Sequence, residues 1–208
     1  MKHIKLLFLV ATAGAVLMAC GDGTKKNETT KSENSTKEGV SKTININTEH
    51  SVVNWLGSLV GVYDHYGLLK FKNGNIVLEN GVVKSGSFVV DMTTMQATDD
   101  NYDVEKGSTK EKLIGHLSSP DFFAVEEFPE ASFVIKNHSG DVIKGQLTIR
   151  GKTNDEEVTD VKIEEFEGKL VFYGQMVFNR QKYDVAWQHP IKDKVLKDNI
   201  ELKIKILE

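Results

Sequence analysis

From Thr43 to the end of the chain, apolar residues recur mainly at every second position, and only an extended strand places alternate side chains on one face. The last segment shows this most cleanly: Ile200, Leu202, Ile204 and Ile206 alternate with Glu201, Lys203 and Lys205. Ile143, Leu147 and Ile149 alternate with Lys144, Gln146, Thr148 and Arg150, with Gly145 on the apolar side. Leu170, Phe172, Met176 and Phe178 share one parity, while Tyr173 and Gln175 take the other. Phe88, Val90 and Met92 oppose Ser87, Val89 and Asp91, and Ala131, Phe133 and Ile135 oppose Ser132 and Val134. Antiparallel sheet with one buried face requires this pattern.

Turn chemistry separates the runs at Lys72-Asn73-Gly74-Asn75, Glu79-Asn80-Gly81, Ser139-Gly140-Asp141 and Phe166-Glu167-Gly168. Asn-Gly and Gly-Asp pairs supply the positive φ that tight hairpins need. The strands fall near 43–47, 51–61, 67–79, 81–92, 131–138, 141–151, 157–165, 169–179 and 199–207, about eight once one merges with its neighbour. Between Met92 and Pro129 the pattern changes. Lys110–Leu117 reads as a short helix carrying Leu113, Ile114 and Leu117 on one side, and Pro120–Phe123 as the start of a second helical turn. The expectation is an all-β protein, an antiparallel up-and-down barrel of about eight strands with one short helical excursion; closure removes edge strands.

The amino terminus carries a different signal. Lys2 and Lys5 precede an apolar stretch from Leu6 to Leu17, too short for the roughly 20 residues of a membrane-spanning helix but suited to a secretory leader. It ends in Leu17-Met18-Ala19-Cys20, which resembles a bacterial lipobox. Cys20 is the only cysteine of the chain and has no intrachain disulfide partner, so lipidation is its expected fate. Several acyl chains on one residue give a stable anchor. Residues 21–42 hold one aliphatic side chain, Val40, and cannot offset their ordering entropy. The domain reading is therefore a leader at 1–19, a lipidated Cys20 with a flexible polar tether to residue 42, and a barrel domain at 43–208. Gly21 carries no Asp-type inner-membrane retention signal. The expected location is the bacterial cell envelope, lipid-anchored, with the outer membrane facing the periplasm as default.

Charge narrows the partners. Loss of Lys2 and Lys5 with the leader takes the net charge from −4 to about −6, which argues against nucleic acid. Enzyme chemistry finds little support. His65, His116 and His189 are widely spaced in sequence without metal-binding spacing, and Gly-x-Ser-x-Gly is absent. The one cysteine is committed to lipid. Asp99-Asp100 and Glu126-Glu127 read as solvated loop carboxylates. No catalytic residue, metal or cofactor is expected.

Several segments resemble the YceI-like family. They are Val53-Asn54-Trp55 with His65; Gly86-Ser87-Phe88-Val89-Val90-Asp91-Met92; and Lys112-Leu113-Ile114-Gly115-His116-Leu117. Next come Ser119-Pro120-Asp121-Phe122-Phe123 and Phe128-Pro129-Glu130-Ala131-Ser132-Phe133. Ile143–Gly151 and Phe178-Asn179-Arg180 complete the set, in the family's order across about residues 43–208. Asp184 stands where members often carry Gly. The resemblance implies a lipocalin-like barrel that holds a polyisoprenoid lipid in an internal tunnel, as bound ligand rather than cofactor.

On the inward parity lie Trp55, Phe71, Phe88, Phe133, Leu147, Phe172, Met176 and Phe178, with Gly57, Gly86, Gly145 and Gly174 among them. Aromatics beside glycines could line an elongated apolar groove, or simply fill the core. Arg180 is the candidate for a ligand head group, against a rim ion pair with Asp184 or Asp198. The functional expectation is a lipid-binding or lipid-carrying lipoprotein that makes and breaks no bonds. The alternatives are a structural or interaction module with a filled core and, further off, an enzyme acting on a lipid head group.

Overall fold

Two-residue turns with positive φ organise the sheet. Asn80-Gly81 (φ 52° and 79°), Arg150-Gly151 (51° and 71°) and Glu167-Gly168 (52° and 76°) each reverse the chain between adjacent strands. Positive φ at both central positions matches the twist of the strands they join. A computed structural model describes residues 40–191 and 194–208. The leader, Cys20 and the tether up to residue 39 lie outside the described residues.

The strands are β1 (Ser41–Asn45), β2 (Val52–Leu59), β3 (Tyr63–Glu79), β4 (Val82–Ala97), β5 (Glu130–Ser139), β6 (Val142–Ile149), β7 (Lys152–Phe166), β8 (Lys169–Asn179) and β9 (Asn199–Leu207). All pairings are antiparallel, in the order β3-β2-β9-β8-β7-β6-β5-β4, and β3 pairs back to β4 to close an eight-stranded barrel. The short β1 is the extra strand, lying along the second half of β3 with Ser41 opposite Glu79. It begins two residues before the strand start expected at Thr43. The barrel is the expected fold, lipocalin-like in outline.

Two local expectations change. Asn73-Gly74 is no turn but lies inside β3 at a register shift between Phe71 and Asn73. Its glycine serves close approach: a Cβ on Gly74 would lie 2.7 Å from the Phe88 ring. β4 also continues past Met92 to Ala97. Lys70 pairs with Asp91 and Leu68 with Gln96, so β4 bulges between them and Met92 and Met95 both turn inward, three residues apart. Asp91 holds the bulge, its carboxylate accepting from Thr93 N–H at 2.9 Å and its carbonyl from the Thr94 hydroxyl at 2.6 Å.

The helical excursion is α1 (Lys110–Ser118). Thr109 caps it in extended backbone, its hydroxyl accepting from Lys112 N–H at 3.2 Å. Leu117 is buried, and Leu113 and Ile114 pack against the core. No second helix follows. Residues 119–127 form hydrogen-bonded turns, with Ala124 at φ 48°. Arg150 pins them to the barrel, donating to the carbonyls of Pro120 (2.9 Å), Phe122 (2.8 Å) and Asp184 (2.6 Å). The β2–β3 turn, α1, the 3-10 turn Arg180–Tyr183 and residues 194–198 therefore gather at one end of the barrel.

Candidate functional site

The barrel is not filled. Its interior holds a cavity of about 450 Å³ with side chains from all eight barrel strands on its wall. That volume falls in the range of small-molecule sites, roughly 300–1,000 Å³. Along β8, Phe172, Gly174, Met176 and Phe178 all face it, and six residue steps in a strand measure about 20 Å. The lumen is long and apolar.

All eight wall residues picked out by parity line this cavity: Trp55, Phe71, Phe88, Phe133, Leu147, Phe172, Met176 and Phe178. Phe133 is half-buried and the other seven are buried. Most of the glycines among them work differently from a simple groove. A Cβ on Gly145 would collide with the Phe133 ring, and one on Gly174 would lie 2.5 Å from Val158 Cγ1. Gly86 would meet Asn75 O at 2.7 Å. At these glycines a neighbouring side chain or carbonyl occupies the space a Cβ would take. Gly57 differs, since its nearest neighbour would be Ile200 Cδ1 at 3.6 Å.

Polar lining concentrates at the end covered by α1. Tyr63, His65, Tyr102, Ser108, Thr109, Lys112, His116 and His189 all reach the cavity there. The centre of this group is Asp99, which is fully buried. Its carboxylate takes hydrogen bonds from His65 Nδ1 (3.0 Å), the Tyr102 hydroxyl (2.9 Å), Asn101 N–H (3.0 Å) and Tyr66 N–H (3.2 Å). Burial alone pushes the carboxyl up, but these donors more than offset it and hold Asp99 below the usual carboxylate range. Burial first, then the bond to Asp99, pushes the Tyr102 phenol up. The His65 ring lies between Tyr63 (centroids 4.8 Å apart) and Tyr102 (5.2 Å, stacked). Across the same end, Trp187 packs edge-on against His116 (4.7 Å) and His189 (5.7 Å), with Phe122 behind.

This cluster is where residue-by-residue reading fell short. The three histidines, far apart in sequence, all line one cavity. Asp99 is buried, whereas Asp100 is the solvated member of the pair, its side chain 98% exposed. The missed signal was the extent of β4: once it runs to Ala97, opposite Gly67, Asp99 must fall beside His65.

The head-group assignment to Arg180 is corrected. Arg180 is 1% exposed but off the cavity wall. It donates to the carbonyls of Val185 (2.5 Å), Trp187 (2.9 Å) and Lys197 (3.2 Å), and to Asp198 Oδ1 at 3.0 Å. A guanidinium so engaged ties residues 185–187 and 197–198 to the end of β8 and has little left for a ligand. Asp184 pairs instead with Lys152, at 2.9 Å. Among the described residues, Lys112 is the lysine or arginine that reaches the cavity.

Comparison with known proteins agrees with this fold. A family model described as the YceI-like domain matches residues 44–207. A UPF0312 protein of Staphylococcus aureus strain USA300 is 32% identical over 109 residues, which cover 49% of this chain and 63% of that protein. A Staphylococcus epidermidis relative is 32% identical over 112 residues, with the same coverage. The chain thus spans somewhat less than two thirds of these relatives' length. Among solved structures, BcnA of Burkholderia cenocepacia superposes with a TM-score of 0.63 at 18% identity, over 78% of this chain and 99% of BcnA. A polyisoprenoid binding domain from Saccharophagus degradans, implicated in plant cell wall breakdown, gives 0.51 at 9% identity, over 78% of this chain and 95% of that domain. At these identities both likenesses show the fold.

Proposed function

The chain belongs to the YceI-like family, and we propose that it is a cell-envelope lipoprotein that sequesters one long isoprenoid-type lipid inside its barrel. The observation that carries this reading is the apolar cavity of about 450 Å³ extending along the strands. Each methylene-sized unit moved from water into such a lumen gains about 0.8 kcal/mol before ordering costs. The polyisoprenoid-binding description of the Saccharophagus degradans neighbour supports the ligand class. The mechanism is exclusion of an apolar chain from water, with no cofactor and no bond made or broken. The open lumen weighs against a filled-core interaction module. In this reading acylated Cys20 holds the barrel at a membrane, the outer membrane facing the periplasm.

The test is native mass spectrometry of the full chain, extracted from bacterial membranes in mild detergent, followed by organic extraction of whatever is bound. One isoprenoid per chain is the expected result. A chain that emerges empty and also refuses added quinones and polyprenols would overturn the proposal. Cys20→Ala should release the protein from the membrane fraction, and unchanged partitioning would remove the lipid anchor.

A further inference from the structure

We propose that the polar end of the cavity reads a hydroxyl group on the ligand, and that His65 Nε2 accepts its hydrogen bond. The inference rests on the lipid-carrying reading and adds a head-group chemistry to it.

Asp99 and its surroundings set the form of the ring. A buried carboxylate that already accepts from two backbone N–H groups and a phenol can only accept from His65 Nδ1, so that nitrogen carries the proton. With its second nitrogen unprotonated, the ring presents Nε2 as an acceptor. Nε2 makes no hydrogen bond among the described residues, and His65 lines the cavity with its side chain 18% exposed. Tyr63 and Tyr102 flank the ring and leave it little freedom to turn.

The other polar groups at this end have a different sense. Lys112 can only donate. His189 Nδ1 accepts from Ile191 N–H at 3.0 Å, so the neutral His189 ring carries its proton on Nε2 and donates. His116 also lines the cavity, its Nε2 buried without a partner, and its ring can donate or accept, so it does not discriminate. Ser108 and Tyr63 can both donate and accept and do not discriminate. A carbonyl or ether oxygen would satisfy the donors but leave His65 Nε2 unpaired beneath the ligand. A hydroxyl serves both kinds of group, so a prenol or a hydroxylated ring fits better than a fully capped head group.

The experiment uses the full chain in detergent with three probes: geranylgeraniol, its methyl ether, and squalene. The alcohol should bind about three- to tenfold more tightly than the ether, the range of one hydrogen bond to a neutral partner. His65→Phe should remove that preference while squalene and ether binding persist. Because His65→Phe leaves the Asp99 charge without its partner, His65→Phe/Asp99→Leu provides a second background with no buried charge to accommodate. Equal affinity for alcohol and ether in the unmodified protein would overturn the inference, as would a preference that survives in either variant. Failure of all three probes to bind would instead overturn the lipid-carrying reading itself.

Discussion

The wall of the lumen and its polar end are built on different plans. The wall repeats one rule: an apolar side chain at every second position, eight strands over, with glycines where a neighbour takes the space of a Cβ. The polar end repeats nothing. His65, Asp99, Tyr102, Trp187, His189 and the supporting Arg180 come from separate stretches of chain, each held by particular hydrogen bonds. On the wall, neighbours share the task of excluding water, so a substitution should cost in proportion to the volume it changes. At the end each group has one partner set, and losing it leaves buried polar atoms unpaired.

The sharpest way to expose that difference is Arg180→Ala. It strips three carbonyls and Asp198 of their donor and frees residues 185–187 and 197–198 at that end. The expected cost is about 3–5 kcal/mol, read as a drop in the urea midpoint. Arg180→Lys should recover only part of it, because an ammonium cannot span the same acceptors. A loss under about 1 kcal/mol would show that the end is as tolerant as the wall.

Asp99→Asn comes next, at about 2 kcal/mol near neutral pH, since the amide must aim its NH₂ at one of the present donors. Its pH dependence carries the sign. The folded Asp99 carboxyl sits below its unfolded value of about 3.9, so its stabilisation is full above that pH and is lost as pH falls through the folded value. The unmodified protein should therefore lose stability on acidification more steeply than Asp99→Asn, and the two unfolding curves should converge in acid. Parallel curves would mean that Asp99 is not the group that titrates.

The two plans also explain how much could be read in advance. Parity is local, so most strands and the inward side of the eight wall residues were legible from the alternation, and the turn signals between the runs pointed to a barrel. The polar end was legible only in fragments, because its geometry depends on irregular backbone. Met92 and Met95 both turn inward across a bulge, which breaks period two just before Asp99 and makes the strand seem to stop early. Arg180 was noticed for its charge, but the carbonyls of Val185, Trp187 and Lys197 become its partners only in the folded chain. Asn73-Gly74 looks like a hairpin in sequence because a glycine under an aromatic ring and a glycine in a turn have the same local signature.

The wall offers the converse case, a substitution with a small effect on stability and a large one on occupancy. Gly57 lies on the cavity opposite His65 in the β2–β3 register, has negative φ, and leaves 3.6 Å between an added Cβ and the nearest atom. A phenylalanine there can point into the lumen without moving backbone, whereas at Gly145 any side chain would strike Phe133 and the carbonyl of Val134. Gly57→Phe should shift the unfolding free energy by less than about 1 kcal/mol, because the new ring exchanges water for apolar wall. It should also plug the cavity just beneath the polar end and reduce lipid recovered by extraction at least about tenfold, the ring occupying space the chain needs. Full occupancy in a folded Gly57→Phe protein would mean that the lipid lies elsewhere, and the wall would then be core.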